Sequence, residues 1–113
     1  MSESSTVIHL TDKNFDEALV AHPGLVVDFW APWCGPCRVI GPVLEGLSSE
    51  YEGRATVAKV NVDEHPGLAG RFNVRGIPTM LFFKDGALVD QVVGAVPAAE
   101  IRKRLDVVSS STT

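Results

Sequence analysis

Residues 25–30, Leu-Val-Val-Asp-Phe-Trp, form an almost continuously apolar run that strongly constrains the fold of this chain. Such a run is typical of a strand buried on both faces, and strands of that kind occur in parallel sheets that helices cover. Further strand-like segments at residues 55–62 and 79–83 alternate with segments of helical periodicity. The chain is therefore predicted to have an α/β fold.

A turn signal follows the strand-like segment at residues 79–83. Asp85-Gly86 predicts a hairpin in which residues 87–93 pair back antiparallel. The complete order, β-α-β-α-β-α-β-β-α, predicts a central mixed sheet of about five strands, flanked on both faces by about four helices. We expect a single domain at residues 1–108 and a disordered tail at residues 109–113, because that tail is entirely Ser and Thr.

Composition argues against several classes of function. The net charge of −4 and the pI near 5.2 argue against a nucleic-acid partner. No apolar run is long enough to span a bilayer, and the Met-Ser-Glu-Ser-Ser start lacks the basic and apolar regions of a signal peptide. We therefore expect a cytoplasmic location, where a close cysteine pair is more often catalytic or metal-binding than structural.

The only two cysteines, Cys34 and Cys37, stand where the strand at residues 25–30 gives way to a helix. Residues three apart on the first turn of a helix share one face, so the two sulfurs are close enough to form a disulfide. The helix N-terminus favours a thiolate, which is the nucleophile of disulfide exchange. The motif therefore predicts a dithiol–disulfide redox site. Cys34 is expected to meet solvent and attack, and Cys37, one turn further in, to be shielded and to resolve.

A zinc site or a pair of inert core thiols is the alternative interpretation of these cysteines. Zinc normally takes four ligands. The other candidates, His9, His22 and His65, are scattered and accompany no second cysteine motif. We therefore expect no metal.

Two charged residues interrupt predicted strands. Asp28 lies within the apolar run, and burial there would raise the pKa of its carboxyl to a range that suits proton transfer near neutral pH. A purely structural role is the alternative. Lys59 interrupts the next strand in the same way, and it either pairs with Asp28 or extends to solvent. Trp30 is interpreted as a core residue.

Several motifs together resemble the thioredoxin family over about residues 7–105. The matching segments are Val27 to Cys37, Pro42, Lys59 to Asp63, Arg75 to Thr79, and Val93 to Ala95. A Cys-x-x-Cys motif by itself is a weak signal. Combined with the Asp in the preceding strand and the Ile-Pro-Thr segment, it becomes very specific, and it implies a thioredoxin-like fold.

The resemblance implies a general protein-disulfide reductase. Proteins of this family attack a substrate disulfide with the first cysteine and resolve with the second, roles that fall on Cys34 and Cys37. The resemblance assigns Asp28 to proton exchange with the resolving cysteine and places Lys59 near Asp28. It also implies that no cofactor is bound, that electrons come from NADPH through a flavin-containing thioredoxin reductase, and that substrates are disulfide-containing proteins. We expect a monomer.

A substrate-binding surface is expected beside Cys34. Pro78 stands at the start of a strand, which is an ordinary place for proline, but in the family this position is a cis-proline that faces the disulfide. Small and apolar residues from converging loops are expected to form an exposed patch that suits extended peptide segments. These residues are Trp33, Gly35, Pro36, Ile77, Gly94 and Ala95.

Two other functions are compatible with the same features. An oxidase or isomerase of an oxidising compartment would share the fold but would need an export signal. A non-enzymatic binding subunit would use the apolar patch to hold one partner. Such a subunit would keep its function without the cysteines, whereas a reductase would lose all of it.

Overall fold

A computed structural model describes residues 6–109 of the chain. Strands and helices alternate along these residues, and a hairpin and a last helix follow. The strands are β1 (Ile8–His9), β2 (Gly24–Trp30), β3 (Thr56–Asn61), β4 (Thr79–Lys84) and β5 (Ala87–Val93). The helices are α1 (Phe15–Ala21), α2 (Gly35–Glu50), α3 (Pro66–Arg71) and α4 (Ala98–Val108). The predicted α/β order is confirmed. Residues 1–5 and most of the predicted tail, residues 110–113, lie outside the described residues.

The five strands form one mixed sheet in the order β1-β3-β2-β4-β5. β1, β3 and β2 pair in parallel, whereas β4 runs antiparallel to β2, and β5 antiparallel to β4. The central position of β2 explains why its sequence is apolar almost throughout. Asp85 and Gly86 have φ values of 51° and 85°, the left-handed pair that a two-residue hairpin turn needs.

Each face of the sheet has its own apolar core. One core joins the sheet to α2 and α4 and includes Val26, Ile40, Leu44, Leu47, Val57, Met80, Phe82, Ile101 and Leu105. The other joins it to α1 and α3 and includes Phe15, Ala18, Leu25, Val27, Phe29, Val60, Leu68, Leu81 and Phe83. Because side chains alternate along a strand, Asp28 and Trp30 share the face of Val26, which α2 and α4 cover.

Helix α2 begins with a proline in its first turn and is joined to α4 at its other end. Pro36 lies in its first turn, where the missing backbone N–H costs no helical hydrogen bond. At the other end the Tyr51 hydroxyl donates to Oδ1 of Asp106 at 2.6 Å, and Arg102 makes two 3.0 Å hydrogen bonds to the Glu50 carboxylate. These contacts join the C-terminal end of α2 to α4.

Candidate active site

Cys34 and Cys37 form a disulfide at the start of α2, with their Cα atoms 5.2 Å apart. Cys34 is the N-cap residue, and the backbone N–H of Cys37 donates to Cys34 Sγ at 3.2 Å. The same N–H is placed to stabilise a Cys34 thiolate after reduction, because an N-terminal helix N–H has no carbonyl partner within the helix.

Burial does not distinguish the two cysteines, because Cys34 is 4% and Cys37 5% exposed. The expectation that solvent reaches Cys34 is therefore not met in the disulfide form, in which both cysteines belong to a buried cluster with Ala31 and Ile77 packs against that cluster. The surroundings of the two cysteines do differ. Cys34 Sγ lies 3.8 Å from the carbonyl oxygen of Ile77, whereas Cys37 lines a cavity that Cys34 does not line.

Three loops meet beside Cys34. The Ile77–Pro78 peptide bond is cis, and Pro78 itself is buried. The backbone N–H of Gly94 donates to the carbonyl oxygen of Pro78 at 2.8 Å. Gly94 has a φ of 99°, a conformation that other residues rarely adopt. These contacts bring the loops that contain Cys34, Ile77 and Gly94 together at one end of strands β2, β4 and β5.

The expected substrate-binding residues differ in exposure. Trp33 is 65% exposed, Gly35, Pro36 and Ala95 are also exposed, and Ile77 and Gly94 are half-buried. Sequence reasoning missed one further apolar residue, Val93 at the end of β5, which is 58% exposed and lies beside Gly76. Strand alternation could have identified it, since Val92 faces the core and Val93 must therefore face outward.

Asp63 fixes the orientation of the Trp33 indole, a contact that sequence reasoning also missed. The Nε1–H of Trp33 donates to both carboxylate oxygens of Asp63, at 2.9 and 3.2 Å. Asp63 lies just beyond β3, thirty residues from Trp33 along the chain. No local sequence signal indicates such a pair, because it depends on β3 lying beside β2.

Replacing Asp63 with Ala should free the indole of Trp33. A hydrogen bond to a charged group contributes about 1.5 kcal/mol or more, so the indole N–H should exchange with solvent about tenfold faster. Hydrogen exchange followed by NMR measures this directly. Glu64→Ala is the matched control, because it removes the neighbouring exposed carboxylate. Equal exchange rates in the wild type and Asp63→Ala would contradict the contact.

Asp28 is a buried carboxyl with no hydrogen-bond partner among residues 6–109. It is 1% exposed, and neither of its side-chain oxygens meets a donor. Burial raises the pKa of Asp28 from 3.8 to about 7, and the positive charge of Lys59 partly opposes this rise. The carboxyl can therefore both hold and release a proton near neutral pH.

Lys59 is the register partner of Asp28 in the neighbouring parallel strand. Its ammonium lies over the ring of Trp30, 4.5 Å from the ring centroid. Trp30 is half-buried rather than a full core residue, because one side of it borders a cavity of about 500 Å³ that Cys37 and Lys59 also line. Lys59 thus neither extends freely into solvent nor forms an ion pair with Asp28.

Arg38 ties the cysteine loop to α2. Its guanidinium donates to the carbonyl oxygen of Pro32 at 2.9 Å, across the turn in which the N–H of Cys34 donates to Ala31. Arg38 also lines the cavity beside Cys37. Sequence reasoning did not single out this residue.

Residues 6–109 contain no group of three or more His, Cys, Asp or Glu side chains that could hold a metal ion. Over the same residues, no helix combines the length and apolar character needed to cross a membrane.

Comparison with known proteins agrees with the fold and the disulfide. The Thioredoxin family model matches residues 6–107. Thioredoxin of Chlorobaculum thiosulfatiphilum is 55% identical over 97 residues, covering 85% of this chain and 90% of the relative. Thioredoxin 2 of Chlorobaculum tepidum is 52% identical over 104 residues, covering 91% and 95%. Thioredoxin of Staphylococcus haemolyticus is 49% identical over 100 residues, covering 88% and 95%. With its redox-active disulfide at the start of α2, the chain belongs to the thioredoxin family of protein-disulfide oxidoreductases.

Proposed function

We propose that Cys34 is the attacking and Cys37 the resolving cysteine of a general protein-disulfide reductase. The Cys34 thiolate attacks a substrate disulfide, forms a mixed disulfide and releases one substrate thiolate. Cys37 then gives up its proton and attacks Cys34 Sγ, so the second substrate sulfur leaves and the Cys34–Cys37 disulfide forms. Two electrons pass to the substrate, which becomes a dithiol. The position of Cys34 as N-cap of α2 is the observation that carries this assignment.

Asp28 is the proposed proton acceptor for Cys37. Both residues lie between the sheet and α2, and the pKa of Asp28, about 7, suits reversible transfer. Cys37 lines a cavity large enough to hold water, so water can take up its proton first, on the way to Asp28, which lies outside the cavity lining. Lys59 acts on this step through its charge, which favours the ionised form of Asp28.

The surface beside Cys34 is proposed to bind extended, disulfide-bearing segments of proteins. Its exposed residues are Trp33, Gly35, Pro36 and Ala95, with Ile77, Pro78 and Gly94 beneath them. An apolar patch of this kind fits side chains of many substrates, since it offers few directional contacts.

Thioredoxin reductase is the proposed source of electrons, using NADPH, with no cofactor bound to this chain. We place the protein in the cytoplasm as a monomer that contributes to electron transport and cell redox homeostasis, with residues 1–108 as one domain. The relatives named above are all thioredoxins, and this supports thioredoxin reductase as the reducing partner.

Reduction of insulin disulfides tests the proposal. With NADPH and thioredoxin reductase supplied, NADPH oxidation should depend on this protein and on insulin together. The double variant Cys34→Ser/Cys37→Ser should give no turnover, whereas a non-enzymatic binding subunit would retain its function without the cysteines. Full-length protein that forms disulfides in reduced insulin faster than it breaks them would instead favour an oxidase.

Pro36→His should make the Cys34–Cys37 dithiol–disulfide couple more oxidising. The motif has no charge between its cysteines, and the first turn of α2 carries no acidic residue. A histidine there would add a donor beside Cys34 and stabilise the thiolate relative to the disulfide. We expect a shift of about 30 mV, which corresponds to about 1.4 kcal/mol for this two-electron couple.

Equilibration against glutathione, with the oxidised fraction read from Trp fluorescence, measures the potential of Pro36→His. Pro36→Ala is the matched control, because it removes the proline without adding a donor. A potential of Pro36→His that is no more oxidising than that of Pro36→Ala would show that the residues between the cysteines do not act through charge.

A further inference from the structure

The ammonium of Lys59 has two candidate partners on one face of the sheet. Asp28 and Trp30 are two residues apart on β2, so their side chains point to the same side. Lys59 is the register partner of Asp28 on β3, yet its Nζ lies over the Trp30 ring. Among residues 6–109, Lys59 takes part in none of the ion pairs, and both oxygens of Asp28 lack a partner.

The position of the Lys59 ammonium over Trp30, and not beside Asp28, has a physical reason. A cation over the face of an indole is attracted by the ring, most strongly where water is partly excluded, and Lys59 is half-buried there. An ion pair with Asp28 would instead require the ammonium to lose more of its water, since that carboxyl is 1% exposed. The ring therefore competes with the carboxylate for one ammonium.

We propose that Trp30 is a positioning residue whose ring holds the Lys59 ammonium away from Asp28, so that this carboxyl stays free of an ion pair. The proposal rests on the role of Asp28 proposed above. A free carboxyl keeps a pKa close to neutral, whereas an ion pair favours the charged form and lowers the pKa. A carboxylate of lower pKa is a weaker base toward the thiol of Cys37.

Few other charges face Asp28. From β4 its register partner is Met80, which carries none. On α2, Cys37, Arg38 and Glu45 line the cavity that Lys59 also lines, but Asp28 is not among its lining residues. Helix α4 covers the same face with Ile101 and Leu105, which carry no charge. Lys59 is the charge that acts on the pKa of Asp28, in opposition to burial. Burial sets the larger part of the pKa shift of Asp28, and the position of this one ammonium sets how far the shift is opposed.

Trp30→Leu tests the proposal in the reduced full-length protein. The pKa of Asp28, read from its carboxyl ¹³C shift by NMR, should fall by about one unit, equivalent to ~1.4 kcal/mol. In the Lys59→Met background the same Trp30→Leu change should leave the pKa of Asp28 unaltered. An equal fall in the pKa of Asp28 in both backgrounds would mean that water entry, and not Lys59, lowers the pKa, and it would overturn the proposal. An unchanged pKa in both backgrounds would also overturn it.

Fluorinated tryptophan provides a second test that leaves the shape of the site intact. Tetrafluorotryptophan is incorporated in a Trp33→Phe background, so that only position 30 carries it. Fluorine withdraws electrons from the ring face and weakens its attraction for a cation. The pKa of Asp28 should fall relative to the unfluorinated Trp33→Phe protein, and Lys59→Met should abolish the difference. An unchanged pKa would overturn the proposal even if Trp30→Leu does not fold.

The rate of mixed-disulfide resolution, measured against pH in single turnover, separates this inference from the role of Asp28. If both hold, the midpoint of the pH–rate profile follows the pKa of Asp28 in Trp30→Leu. If the pKa falls but the profile does not move, Trp30 positions Lys59 as proposed, and the role of Asp28 in catalysis is wrong.

Discussion

Cys37→Ser should trap substrate proteins as stable mixed disulfides through Cys34, with multiple-turnover reduction lowered by at least about 10³-fold. Cys34 retains its place as N-cap of α2, so the first attack proceeds. No second thiol is then available to attack Cys34 Sγ. Affinity capture of the variant from cell extract, followed by mass spectrometry of the linked peptides, identifies the trapped sulfur.

Cys34→Ser is the matched control for trapping. It keeps one cysteine in the same helical turn, but that cysteine lines the cavity beside Lys59, whereas Cys34 Sγ lies 3.8 Å from the carbonyl oxygen of Ile77. We expect it to trap almost nothing. Equal trapping by the two variants would reverse or remove the assigned order of attack.

Asp28→Ala should be more stable than the wild type at pH 8 and slower in turnover. The rise in the pKa of Asp28 from 3.8 to about 7 corresponds to an unfavourable burial of about 4 kcal/mol once the carboxyl is ionised. Removal of the side chain leaves a small cavity that costs about 1–2 kcal/mol. The free energy of unfolding should therefore increase by about 2–3 kcal/mol, whereas turnover should fall by about 10-fold to 100-fold, because a general base has been removed.

The free energy of unfolding should depend on pH in a direction that follows from the raised pKa of Asp28. Between pH 4 and 7 folded Asp28 keeps a proton that the unfolded chain has released, so stability of the wild type falls as pH rises. Above about pH 7 the carboxyl of residue 28 is ionised in both the folded and the unfolded wild type. The difference in unfolding free energy between the wild type and Asp28→Ala then levels off. Urea denaturation across this pH range measures the free energy of unfolding, and Asp28→Asn is a control of similar volume that cannot ionise. A less stable Asp28→Ala at pH 8 would show that the carboxyl is not destabilised by burial.

Sequence alone was sufficient for the local features of this protein. The apolar run of β2, the Asp85-Gly86 turn and the cysteines at the start of α2 each depend on residues that are neighbours along the chain. Periodicity, positive φ at a turn and an N-terminal helix position act over a few residues. The order of elements, the mixed sheet and the disulfide could therefore be predicted.

Tertiary structure decided the contacts that complete the site. The approach of Cys34 to Ile77, the bond from Trp33 to Asp63 and the position of Lys59 over Trp30 join residues that are about 30 to 43 apart along the chain. They depend on which strands are neighbours and in what register, because a one-residue slip would turn each side chain to the other face. For Lys59 even the register is not enough. Sequence left open whether Lys59 pairs with Asp28 or extends to solvent, and only the competition between a buried carboxyl and an indole face directed its ammonium to Trp30.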